Sequence, residues 1–217
     1  MMLNIRLVQY LLVISALLSS FNAISQSSYE KIIRAVEDGE TDTVKLLLGR
    51  GMDPNTTDPR GNSILMISAR QGNDGIVALL IARRANVRQR SPVGDTALLM
   101  ACLGGNASVV RRLLDAGGEL NPKQGWAPLH YAAFEGHAGT AKLLLERGAN
   151  KDAVAPNGYT ALMLAARNGK SEVAKVILYR DPDVNFRAGS GDTALKIARK
   201  RDMKELETLL LRSGAVE

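Results

Sequence analysis

The sequence predicts an all-α solenoid of about six stacked helix-turn-helix repeats, and three observations predict it. Glycines at Gly61, Gly94, Gly125, Gly158 and Gly191 recur at spacings of 33, 31, 33 and 33 residues. Each opens a similar segment, GNSILMISARQG, GDTALLMACLGG, GWAPLHYAAFEG, GYTALMLAARNG and GDTALKIARKRD, and a leucine-rich block follows in phase. Aromatic residues make up only 4% of the chain against 20 glycines, which suits closely packed small helices better than a sandwich or barrel.

Taken in order, the chain begins with what reads as an address. One cation, Arg6, precedes an apolar run over 7–18 and then a small, polar stretch. Ala23 and Ser25 stand at minus three and minus one of a cut before Gln26, the layout of a secretory signal peptide over 1–25. The run is short for the ~20 residues of a bilayer span, so an uncleaved anchor is the competing reading. No cysteine near the cut could carry a lipid. From Gln26 onward nothing is apolar enough to cross a bilayer. Export would lower the formal charge from +6 to +5, since Arg6 is the one charged residue lost.

The second helices fall at 77–80, 109–114, 141–145, 173–178 and 206–211. Upstream, Ala35, Gly39, the block at 44–48 and Gly51 keep the same phase, so a degenerate first repeat starts near Ser28. The repeats then lie near 28–60, 61–93, 94–124, 125–157, 158–190 and 191–217. Ser63, Thr96, Thr160 and Thr193 stand where a hydroxyl can cap a first helix. Gly72, Gly105, Gly136 and Gly169 fall between paired helices, where a positive φ is expected. The terminal repeats are more charged than the others, as the ends of a stack must be.

This pattern resembles the ankyrin repeat, whose period is 33 and whose T-P-L-H signature is most complete at Ala127-Pro128-Leu129-His130-Tyr131-Ala132-Ala133. The resemblance covers residues 28–217. It implies an ankyrin-repeat solenoid with short β-hairpin finger loops between repeats. The finger at 121–125 is two residues shorter than its counterpart at 55–61, so a notch is expected there.

Chemistry finds little support. His130 and His137 match the signature histidine and the Gly-His turn of the repeat, and no nucleophile, base and orienting group occur at a recognisable spacing. Gly104-Gly105 lacks the Gly-Lys-Ser/Thr sequel of a phosphate loop. Cys102 replaces an alanine at a packing position and reads as a small buried hydrophobe. No cofactor, metal or catalytic residue is expected. The sequons at Asn55 and Asn106 each have a repeat-consistent explanation.

What remains is binding. The resemblance implies that partners meet the fingers and the first helices on one concave surface. By phase that surface presents Asn62, Asp95, Trp126, Tyr159 and Asp192, with the pairs before each turn. Only seven aromatics follow the signal, and Trp126, Phe134 and Tyr159 fall on this face in adjacent repeats beside Arg167. With Glu135, Arg70, Arg88 and Arg90 they form the predicted partner-binding site. Tyr131 is expected to be framework.

The resulting expectation is an exported, non-enzymatic scaffold for one protein partner, periplasmic in a bacterium and secreted otherwise, monomeric and without nucleic acid or membrane insertion after signal removal. An accessory or immunity protein for an envelope enzyme or toxin fits this description. A membrane-tethered ankyrin scaffold and an unrecognised enzyme are the alternatives.

Overall fold

The computed structural model describes residues 28–216. The expected signal peptide over 1–25 lies outside them. Twelve helices are present among the described residues: α1 (28–37), α2 (Thr41–Gly49), α3 (Ile64–Gln71), α4 (Asp74–Ala82), α5 (Ala97–Leu103), α6 (Ala107–Asp115), α7 (Pro128–Glu135), α8 (Ala138–Glu146), α9 (Ala161–Arg167), α10 (Ser171–Leu178), α11 (Ala194–Lys200) and α12 (Lys204–Arg212).

Odd-numbered helices from α3 to α11 pack successively on one another as an inner layer, and the even-numbered helices α2 to α12 do the same as an outer layer. One continuous core runs between the layers. Its spine is a leucine two residues beyond each first-helix cap: Leu65, Leu98, Leu129, Leu162 and Leu195, none more than 1% exposed. Each such burial contributes roughly 1.5–3 kcal/mol. Small residues between them let the inner helices approach, so that every residue from Ala161 to Ala166 is buried. Cys102 is wholly buried in this layer, and burial pushes its thiol pKa upward, as befits an inert packing residue.

The caps form as the sequence predicts. Ser63, Thr96, Thr160 and Thr193 accept the backbone N–H of Met66, Leu99, Met163 and Lys196 at 3.2–3.4 Å. The turn glycines Gly72, Gly105, Gly136 and Gly169 adopt φ of 78°, 73°, 96° and 70°. A Cβ at Gly105 would lie 2.5 Å from Nδ1 of His137, so the glycine is needed for space as well as for φ.

Polar side chains staple each repeat to its neighbour by capturing helix-end carbonyls. Asn106 Nδ2 donates to the carbonyls of Ala69 and Arg70, and His137 Nε2 lies 3.0 Å from that of Leu103. Asn55, Asn121 and Asn185 accept the N–H of Asn86, Asn150 and Val216, each from the segment after the next outer helix, at 2.7–2.8 Å. Both sequon asparagines are therefore structural. Outer helices are joined by ion pairs in register, Arg112 to Asp74 at 2.6 Å and Arg147 to Asp115 at 2.7 Å.

The fingers are hairpins of minimal size. Two of them reach a single antiparallel bridge, Thr57 with Ser63 and Val154 with Thr160, and no finger continues into a ladder. Four fingers share a closing backbone bond, from the N–H of Asp58, Ser91, Ala155 and Ala188 to the carbonyl four residues on, at 2.8–2.9 Å. In the shortened finger this place is held by Pro122, which has no N–H to donate. The notch expected there is a groove of about 380 Å³ between Pro122–Gly125 and the next finger at Ala153, Val154 and Pro156.

Candidate partner-binding face

The inner helices and fingers share one face, and equivalent positions on successive repeats form columns along it. Counting from the cap residue, position plus seven holds Arg70, Leu103, Phe134, Arg167 and Lys200. Position plus four holds Ile67, Met100, Tyr131, Leu164 and Ile197, and position minus one holds Asn62, Asp95, Trp126, Tyr159 and Asp192.

In the plus-seven column, Arg70, Phe134, Arg167 and Lys200 are exposed and Leu103 is partly so. Phe134 leaves 44% of its surface in solvent, a large apolar side chain that packing within the chain does not require. Glu135 stands exposed beside it. Neither the Arg70 nor the Arg167 guanidinium has a carboxylate partner among the described residues. Arg167 instead lies over the Tyr159 ring, 5.4 Å from its centroid.

The minus-one column is tied down more firmly than its sequence suggests. Trp126 is half-buried and meets His130 and Tyr131 edge-on, with ring centroids 5.8 and 5.7 Å away. Tyr159 donates its hydroxyl to Asp192 Oδ2 at 2.8 Å, and Tyr131 donates to Asp95 Oδ1 at 2.7 Å. Burial and that bond hold the Tyr131 hydroxyl protonated far above its usual range. Bonds from Ser190 and Tyr159 pull the Asp192 pKa downward. The structure thus brings Trp126, Phe134, Tyr159 and Arg167 onto one face at α7 and α9, with the Trp126 and Tyr159 rings locked by neighbours and Phe134 free.

Arg88 and Arg90 serve the framework. Arg88 occupies the finger position that holds Asn55, Asn121 and Asn185 elsewhere, and its Nε donates to the carbonyl of Gly117 at 2.8 Å as the amides of Asn121 and Asn185 do to Gly148 and Gly214. Arg90 bonds the Gly94 carbonyl and pairs with Glu119 at 2.7 Å. Arg70 belongs to a second groove, about 450 Å³, walled by Arg60, Asn62, Ile67 and Met100. Ile67 and Arg60 were not among the sequence-predicted site residues. The plus-four periodicity points to Ile67, but a finger-tip arginine carries no such signal.

His130 is buried at the foot of this face. Its Nδ1 accepts the Ala127 N–H at 2.9 Å, which leaves the proton on Nε2 to donate to the Ala153 carbonyl at 2.8 Å. The imidazole replaces the missing hydroxyl cap of α7, and burial lowers its pKa. With both nitrogens engaged in structure it is not available as a base. Among the described residues no group of three His, Cys, Asp or Glu side chains is placed to hold a metal ion. No helix among them is long and apolar enough to cross a membrane.

A stack of helix pairs with a partly apolar, arginine-flanked inner face defines a repeat scaffold. Models of ankyrin repeats match residues 4–91, 32–121 and 65–155 in one form and 144–198 in another, and the chain belongs to the ankyrin-repeat family. It is similar to the crystal structure of the human ASB11 ankyrin repeat domain, with 26% identity over 85% of this chain and 84% of that one and a TM-score of 0.81. A search of curated proteins returned no match. Ankyrin repeats indicate a protein-binding scaffold, but 562 solved chains share the likeness, so the fold by itself selects no partner.

Proposed function

We propose that this chain is an exported, non-enzymatic scaffold that holds one protein partner on its inner face, as an accessory or immunity protein for an envelope enzyme or toxin. The observation that carries the binding reading is Phe134, an exposed aromatic between the half-buried Leu103 and the exposed Arg167 on the inner face. Aromatic and arginine side chains in such settings supply most of the free energy of typical interfaces. Export rests on Arg6, the apolar run over 7–18 and the small residues before Gln26.

Affinity capture with the mature chain from its own envelope fraction tests the binding claim, and the Phe134→Ala variant serves as the control. A partner held equally by both would remove the inner face from consideration. Mass spectrometry of the native N-terminus tests export: a chain starting near Gln26 supports it, and one retaining Met1 or Met2 favours the tethered scaffold with 7–18 as anchor.

A further inference from the structure

Arg70, Leu103, Phe134 and Arg167 are four consecutive members of one column, one from each of α3, α5, α7 and α9. The order is cation, apolar, apolar, cation. Packed helices lie about 8–10 Å apart, so the four positions span roughly three such steps. An extended polyproline-II segment advances about 9.3 Å every three residues and turns the same face back each time. The two periods match. A strand, with a same-face repeat of about 6.8 Å, falls out of step within two repeats.

From this match and from the charge order we infer the partner's recognition element: an extended segment with acidic, apolar, apolar and acidic side chains at every third residue, laid along the inner face. The inference rests on the inner-face reading above. Neither guanidinium makes an ion pair with a carboxylate among the described residues, so both are open to a partner's carboxylates, with Glu37 and Asp58 on the wall of the Arg70 groove weakening that end relative to Arg167. Glu135, beside Phe134, disfavours a third acid at the centre and leaves that place to apolar side chains. Over these four members the pattern reads the same in both directions, and Lys200, exposed at the next place beyond Arg167, adds a further cation at one end only.

The chain has a single tryptophan, Trp126, whose ring touches Tyr131 one turn from Phe134, and its fluorescence reports the site without a label. The probe is a synthetic peptide of about ten residues with glutamate, leucine, leucine and glutamate at every third position and proline-rich spacers. It is compared with the same peptide carrying lysine for glutamate and with one spaced at every second residue. The glutamate peptide should shift the emission saturably, lose affinity about tenfold in Arg70→Ala and in Arg167→Ala, and weaken with salt, while both other peptides bind at least tenfold more weakly. Equal binding of the lysine peptide, or indifference to both arginine substitutions, overturns the charge pattern. Equal binding at the shorter spacing overturns the extended threefold register. If no peptide binds but the captured partner still depends on Phe134, the inferred segment is wrong and the inner-face reading stands. If the partner ignores Phe134 as well, both fall.

Discussion

Nε2 of His130 donates to the carbonyl of Ala153 across 2.8 Å, so one imidazole both caps its own helix through Nδ1 and holds the following finger. The arrangement works only with the ring neutral, because a proton on Nδ1 would face the Ala127 N–H that it now accepts.

A pH dependence follows. Burial lowers the His130 pKa in the folded protein, outweighing the Ala153 bond, which acts to raise it. Between the folded value and the ordinary value of about 6.5 the unfolded chain binds the extra proton, so stability is complete above that range and declines as pH falls through it. Urea midpoints taken from about pH 8 to about pH 5.5 should drop in the native chain and show a shallower slope in His130→Asn. Parallel slopes would assign the dependence to other groups.

Leu129 is 1% exposed at the centre of the inner layer. Leu129→Ala should cost roughly 2–5 kcal/mol, as large-to-small core changes do. Since repeats couple chiefly to their neighbours, hydrogen exchange should rise first in α7 and the helices packed on it. A midpoint unmoved by the substitution would contradict the packing described here.

What was legible in the sequence was whatever a single residue type enforces at a fixed offset. Thr96 caps because a hydroxyl three residues before an N–H reaches it, and Gly105 turns because φ of 73° and the His137 ring together exclude a side chain. Those demands recur every repeat and print themselves as a period. The site was legible only in part. Trp126, Phe134, Tyr159 and Arg167 do share a face, but composition could not tell Phe134, left in solvent, from Trp126, braced by two rings. Their place on the preceding finger suggests Arg88 and Arg90 as an electrostatic rim. Their partners, Gly117 and Glu119, lie 29 residues on, and only the folded register reveals that Arg88 does the work of an asparagine.

Arg84 offers a test of backbone strain. It adopts φ of 61° after α4, as Asp181 adopts 52° after α10, where Gly51, Gly117, Gly148 and Gly214 end the remaining outer helices at 87° to 93°. A left-handed conformation costs an L-residue roughly 1–2 kcal/mol, and the added freedom of glycine in the unfolded chain offsets up to about 1 of that. Arg84→Gly should therefore raise stability by about 0.5–1 kcal/mol in chemical denaturation. A loss of stability would mean that the exposed guanidinium contributes more than the strain costs.

The last prediction separates anchor from brace on the inner face. Phe134→Ala removes a ring whose surface is 44% in solvent, so the unfolding free energy should change by no more than about 1 kcal/mol, while affinity for the captured partner should fall by about 2 kcal/mol or more. Trp126→Ala differs because two edge-on ring contacts are lost with it, each worth about 0.5–1.5 kcal/mol beyond area. That variant should lose stability and affinity together. Asn62→Ala, at the equivalent place two repeats from Trp126 and with its side chain engaged by Asp58 of its own finger, should leave affinity nearly unchanged. If Phe134→Ala destabilises as much as Trp126→Ala, the phenylalanine is packing and the face has lost its one free anchor. If Trp126→Ala alone weakens binding, the contact lies on the finger side of α7, and the partner follows the minus-one column instead.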